Sequence, residues 1–431
     1  MNRLTSLLVL SLLAIAQVVF AQPVTEDWPA WRGPRGDGTS RETVAIPTKW
    51  NGSTGEGIKW KSPVPGVGHS SPIVSGNHVF LTSCLTDRES RVLIAFDRTS
   101  GKQLWMQEVL KAPLEKKHNL NSFSSSTPAT DGKLVYVTFL VPEFSSEKET
   151  TPGEMVVAAY DFAGKQKWLM KPGRFASVHG FCSSPVIFED LLIVNGDHDG
   201  DSYIVALDRA SGKEVWKIAR ENKTRSYVTP IIREIAGRTQ MVLSGSKMVT
   251  SYDPRTGEKL WYMRGPTEQF VASLVENDKY LFLTAGFPDY HILCIDPTGS
   301  GDVTDSHIVW RTTKACAYVP SPVVCRVQNE DSSADYLLNV SDGGIGTCFE
   351  ANSGNVLWRE RLGTHFSASL LTAGDLVFFT SDSGITKIVR PGAKLEVVAE
   401  NPLGQAVFAS PAKSRGHLFI RGEQDLFCIG E

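Results

Sequence analysis

Short apolar runs rich in β-branched and aromatic residues recur along this chain at near-regular intervals. Examples are His78-Val79-Phe80-Leu81-Thr82, Leu134-Val135-Tyr136-Val137-Thr138, Leu191-Leu192-Ile193-Val194 and Leu376-Val377-Phe378-Phe379-Thr380. Runs of this length, bounded by turn residues, predict β-strands. Ahead of the runs stands a small marker: Ser71-Pro72, Thr127-Pro128, Ser184-Pro185, Thr229-Pro230, Ser321-Pro322 and Ser410-Pro411, with Ala272-Ser273 and Ala368-Ser369 as degenerate copies. Behind the runs comes a phrase that ends in tryptophan. It reads Ala95-Phe96-Asp97-Arg98-Thr99-Ser100-Gly101-Lys102-Gln103-Leu104-Trp105, and again from Ala206 to Trp216 and from Ser251 to Trp261; weaker copies end at Trp60, Trp168, Trp310 and Trp358.

Self-similarity at a fixed period means one supersecondary unit stacked many times, because a single copy cannot bury its own apolar face. Each unit offers four short strands, beginning at the marker, the apolar run, the Ala-Leu-Asp phrase and the Leu-Trp pair. Eight markers therefore predict an all-β fold, an eight-bladed β-propeller of four-stranded antiparallel blades. The last unit has only three strands, at Ser410-Pro411, His417–Ile420 and Leu426–Ile429, while Ile58-Lys59-Trp60 is a Trp strand with no marker before it. Pairing the two chain ends closes the ring and removes an exposed sheet edge. Within each phrase the Asp is expected to accept backbone N–H bonds across a turn, and the Gly to supply its positive φ. Trp60, Trp105, Trp168, Trp216, Trp261, Trp310 and Trp358 are expected to pack between blades, as structural residues.

Composition narrows the function more than it names it. With 41% hydrophobic and 21% charged residues the chain is ordinary globular material, and a net charge of -3 leaves no basic field for nucleic acid. Residues 1–21 carry Arg3, an apolar core from Leu7 to Ala16 and a Val19-Phe20-Ala21 ending, the pattern of a cleaved signal peptide. An exported protein, periplasmic or secreted, follows, with no membrane-spanning segment after cleavage. The division is a signal peptide at 1–21, a Trp-rich leader at 22–57 and the propeller at 58–431, expected to be monomeric. Of seven cysteines, Cys294, Cys348 and Cys428 stand where other copies carry Ala, and so look like small core residues; a bridge involving Cys316 and Cys325 stays open.

The Ala-Leu-Asp-x-x-Ser/Thr-Gly-x-x-Leu-Trp phrase resembles the pyrroloquinoline quinone (PQQ) repeat, shared by quinoprotein alcohol dehydrogenases and the outer-membrane assembly factor BamB. The leader Asp27-Trp28-Pro29-Ala30-Trp31-Arg32-Gly33-Pro34 looks like the opening of exported propellers of this group. The resemblance implies, for the dehydrogenases, a quinone on a Trp platform beneath a disulfide of adjacent cysteines, with Ca²⁺ held by Glu, Asn and Asp. This chain has no Cys-Cys pair. The resemblance therefore points to the scaffold branch: a binding propeller for protein or peptide partners in the cell envelope, with no cofactor. A PQQ-dependent dehydrogenase using PQQ and Ca²⁺ is the alternative. A glycan-binding or glycan-acting propeller, with Trp28, Trp31 and Trp50 as stacking platforms, is the third reading.

Candidate sites are few, and no catalytic residue is assigned. Asp197, Asp199 and Asp201 alternate as Ca²⁺ ligands do, but Ser202 occupies the EF-hand glycine position and Asp199-Gly200 suits a hairpin turn better. Large side chains precede the inner strands at His69, His179, Phe181, Tyr227, Phe270, Tyr318, His365, Phe366 and Phe408. Of these, His69, His179, Tyr227, Tyr318, His365 and Phe408 are the candidates for lining one mouth of the central funnel, the default binding surface. Three histidines on blades one, three and seven stand too far apart to share a metal. The insertion Val141 to Glu154, rich in Ser, Thr, Glu and Pro, reads as an exposed loop.

Overall fold

The structure is a computed structural model that describes residues 24–143, 151–328 and 333–430. The stretch 1–21, expected from its sequence to be a signal peptide, lies outside the described residues. Among those residues there is no helix, and the strands form eight sheets, one per blade. Each sheet is an antiparallel meander, inner strand to outer strand, as in blade three: Val186–Phe188, Leu191–Gly196, Tyr203–Asp208, Glu214–Ala219. The second and third strands of a blade are buried on both faces by the neighbouring blades, which is why they read as continuous apolar runs. Outer strands alternate or are exposed, as Glu214–Ala219 does, because only one side is covered.

The ring closes through Ile58–Pro63, which joins the last blade as its outer strand and pairs Ile58 with Ile429 and Trp60 with Cys428. The hydroxyl of each marker has a structural cause. Ser71 N–H donates to Thr127 Oγ1 of the next blade at 3.0 Å, Thr127 N–H to Ser184 Oγ at 2.9 Å, and the series resumes from Ser273 through Ser321, Ser369 and Ser410 back to Ser71. At these six junctions the segment leading into the inner strand has a backbone donor that needs a partner, and the neighbour's hydroxyl supplies it.

The tryptophans couple the blades at the rim. Five of the seven indoles lie against the glycine turn of the following blade and donate to a carbonyl there: Trp60 to Arg98 at 3.0 Å, Trp105 to Phe162 at 2.8 Å, Trp168 to Arg209 at 3.1 Å, Trp216 to Pro254 at 3.2 Å and Trp310 to Ala351 at 2.8 Å. Trp358 is buried, but its Nε1 finds no acceptor among the described residues. In the turn itself Asp97 Oδ1 accepts from the Thr99 and Ser100 amides, while Gly101 takes φ 72°. Trp261 departs, donating to Gln240 Oε1 at 2.7 Å, because the blade-five turn is longer and lays Gly301–Asp302 along blade four as a fifth, parallel strand. The stretch expected as a loop from Val141 to Glu154 is, at both ends, a lengthened hairpin of blade two, with Val141 paired to Glu154 and Pro142 to Gly153; residues 144–150 lie outside the described residues. All seven cysteines are free, so Cys316 and Cys325 form no bridge.

Candidate functional site

The leader gives the propeller a closed end. Its carbonyls accept from Ser414 Oγ at Glu26, from the Thr130 amide at Pro29 and from the Thr372 amide at Gly38; Trp28 and Val74 exchange backbone bonds, Trp31 Nε1 donates to Ser273 Oγ and Arg32 donates to Pro322 O. Asp37 is also paired with Arg233. These partners belong to the inner segments of seven blades, and Val74, Thr130, Thr372 and Ser414 lie towards the far ends of their strands. The leader thus spans the channel opposite the residues that precede the inner strands. Positive φ at Arg32 and Gly33 turns it sharply, and a Cβ on Gly33 would lie 2.8 Å from the Trp28 ring.

Above this floor lies a cavity of about 370 Å³. Trp31 forms its base, and the walls carry His69, His179, Tyr227, Tyr318 and Phe408, five of the six residues expected at the mouth. His69 stacks on Phe408 with ring centroids 4.7 Å apart, and His179 meets Tyr227 at 6.1 Å. Burial, with Arg421 and Lys117 close by, holds His69 down to about 4, so its ring is neutral at pH 7. His365 is not part of the lining. Its Nδ1 lies 2.5 Å from Asp382 Oδ2, a carboxylate that also accepts from Ser367, and Ser367 takes its place in the wall. Phe181, Phe270 and Phe366 are buried in the core between blades.

Several lining residues carry no periodic signal in the sequence. His118, Asn121 and Ser125 come from the connection between blades one and two, which folds over the mouth because His118 N–H donates to His179 O and Asn121 Nδ2 to the same carbonyl at 2.7 Å. His118 and His179 meet edge to face with centroids 5.3 Å apart. Arg225 and Gln269 enter from the connections before blades four and five, and Phe287 from within blade five. Phe287 is 52% exposed and its φ is 146°. Cys182 also lines the cavity, its thiol pushed up to about 12 by burial. The lining contains no Asp or Glu among the described residues, and Arg225 is its one formally charged side chain.

The acidic cluster lies elsewhere in its pairing. Asp197 is bound by Arg220 at 2.9 Å, Asp199 by Arg225 at 2.8 Å and Asp201 by Lys223 at 2.6 Å, so each carboxylate has its own cation. Among the described residues no group of three His, Cys, Asp or Glu side chains could hold a metal ion. Two of the three tryptophans considered as sugar platforms are corrected: Trp28 is 1% and Trp50 3% exposed, Trp50 stacked on Phe378. A buried indole face has no room for a ring; only Trp31 reaches the cavity.

Comparison with known proteins fits this architecture. A family model described as the outer membrane protein assembly factor BamB matches residues 40–168 and 88–286. The lanthanide-dependent methanol dehydrogenase of Methylorubrum extorquens is 26% identical over 134 residues, 28% of this chain and 22% of that protein. The match thus spans about a fifth of that relative's length. Among solved structures, BamB from Moraxella catarrhalis superposes with TM-score 0.54 at 13% identity, over 86% of this chain and 99% of that one. Quinohemoprotein alcohol dehydrogenase from Comamonas testosteroni gives 0.60 at 13%, over 94% and 81%. At that identity the likeness is one of fold.

Proposed function

This chain belongs to the PQQ-repeat β-propeller family, and from that premise we propose that it is an exported, non-catalytic scaffold that binds protein or peptide partners in the cell envelope through the funnel mouth. One observation carries the reading: the cavity is closed below by Trp31, walled by aromatic rings and, among the described residues, lined by no carboxylate. A calcium–quinone pair needs oxygen donors for the ion and a base for the substrate hydroxyl. The wall offers Ser, Thr, Asn and Gln but no anionic ligand, and the sequence has no adjacent cysteines to cover a quinone. The residues present do not fit that pair. An apolar blind funnel with a few polar groups fits a ligand held by shape and hydrogen bonds.

Two measurements test this. Loading the protein with PQQ and Ca²⁺ and assaying dye reduction on alcohols and sugars is expected to give no turnover; robust turnover replaces the scaffold by a dehydrogenase. A photocrosslinker in place of Phe287 is expected to give discrete polypeptide adducts in the envelope fraction, suppressed when the funnel mouth is filled by Leu120→Trp, at an exposed lining position.

A further inference from the structure

The scaffold reading leaves the bound group unspecified, and three features of the funnel narrow it. The first is that it is blind. Because residues 26–38 bond across the channel and Trp31 forms its base, nothing can thread through, and a polypeptide can enter only by an end or a side chain. A cavity of about 370 Å³ lies within the usual range of ligand pockets, roughly 300–1,000 Å³, and suits the end of a chain rather than a folded domain.

The second is the sign of its charges. An amino terminus would need a carboxylate partner, and none lines the cavity among the described residues. Arg225 does line it. Its Nη1 is held by Asp199 at 2.8 Å, but its Nε is buried and has no acceptor in the protein. Behind the His69 wall, Arg421 is fully buried and donates only to neutral acceptors, the carbonyls of Ser70 and Thr82 and the Ser83 hydroxyl. Asp199 spends Oδ1 on Arg225 and keeps Oδ2 buried, away from the lining, while two other carboxylates are engaged: Asp342 accepts the Tyr318 and Val319 amides, and Asp382 is bound by Ser367 and His365. An unsatisfied guanidinium donor beside a wall whose described residues include no carboxylate favours an anion.

The third is the wall itself. The stacked His69 and Phe408, with Tyr227, Tyr318 and the exposed Phe287, offer ring faces to an apolar body. We propose that the funnel captures the carboxyl end of a partner polypeptide, seating an apolar last residue over Trp31 and its terminal carboxylate against Arg225. This rests on the scaffold reading and adds to it the chemistry that is recognised, the terminal-carboxylate mode of peptide capture.

The test uses the mature protein and a peptide with fluorescein on its amino end and leucine and phenylalanine as its last residues, measured by anisotropy. The free acid is expected to bind, and the C-terminal amide about tenfold more weakly or worse. Arg225→Gln is expected to erase the difference by weakening the acid alone, while Arg225→Lys retains part of it. The acid–amide comparison on the unaltered protein needs no variant to fold. Equal binding of acid and amide overturns carboxylate recognition and leaves the scaffold in place. No binding of either peptide at millimolar protein overturns the chain-end inference, including the case where 3-phenylpropionate binds and the ligand is a small acid. Dye reduction by the PQQ-loaded protein would instead remove the scaffold reading beneath it.

Discussion

Gly212→Ala isolates what the glycine turns do for the ring. Gly212 has φ 73°, where an L side chain costs roughly 1–2 kcal/mol. The added Cβ would also stand 2.6 Å from Cε3 and 2.7 Å from Cδ2 of Trp168 in the preceding blade. The indole must move, and overpacking of that kind costs about 1–3 kcal/mol. Moving it stretches the 3.1 Å bond from Trp168 Nε1 to Arg209 O, worth about 1 kcal/mol. The expected loss is about 3–6 kcal/mol. Gly132 is the control, because its φ is 84° but nothing lies within 4 Å of the added Cβ; Gly132→Ala is expected to cost about 1–2 kcal/mol. Urea unfolding followed by far-ultraviolet circular dichroism reads both, provided the slope is unchanged. Trp168→Phe, which removes the larger ring, should recover about 1–2 kcal/mol of the Gly212→Ala loss in a double-mutant cycle. Equal losses at Gly212 and Gly132, or strict additivity with Trp168→Phe, would refute the view that indole and turn form one joint.

Three further outcomes are expected. Trp60→Ala removes the indole that bonds Arg98 and lies 6.0 Å from Phe419 at the closing blade, and is expected to cost about 3–5 kcal/mol; a loss under about 1 kcal/mol would mean that the closing strand is dispensable. His69 is held at about 4 when folded against about 6.5 unfolded, so the unfolded chain takes up the proton first. Its contribution is therefore fully present above pH 6.5 and lost as pH falls to 4, by an amount on the order of 2 kcal/mol, and stability profiles of His69→Phe should lack that part of the acid slope. Ellman's reagent should titrate seven thiols in urea without reductant and almost none in the native protein, since burial pushes Cys182, Cys294, Cys316, Cys348 and Cys428 up to about 12; five thiols in urea would reveal a disulfide.

The ring was legible because its determinants repeat. The Ser-Pro markers, the apolar runs and the Trp phrases each recur with the blade, and each has a local physical cause at every copy. The hydroxyl's true task, reaching across to the neighbouring blade's amide, was not legible, since spacing along the chain does not reveal a circumferential bond. The funnel was legible only in part. Side chains just before inner strands fall at the mouth for geometric reasons, which brings His69, His179, Tyr227, Tyr318 and Phe408 together. His365 has the same register but turns to Asp382, because a nearby carboxylate outweighs position. Trp31, His118 and Arg225 arrive from non-repeating segments whose path is set by single hydrogen bonds, such as Trp31 Nε1 to Ser273. No period could place them.

Joining the strand at Ile58–Pro63 to the one at Asp425–Ile429 also orders events during biosynthesis. The earliest strand to be made must wait for the latest, so until then that strand and the three-stranded last sheet each keep a raw border able to recruit a stranger. Contacts so remote in sequence form slowly. A newly made chain therefore passes through a vulnerable open form, and helpers that shield such borders would raise the yield of finished rings more than any gain in final stability.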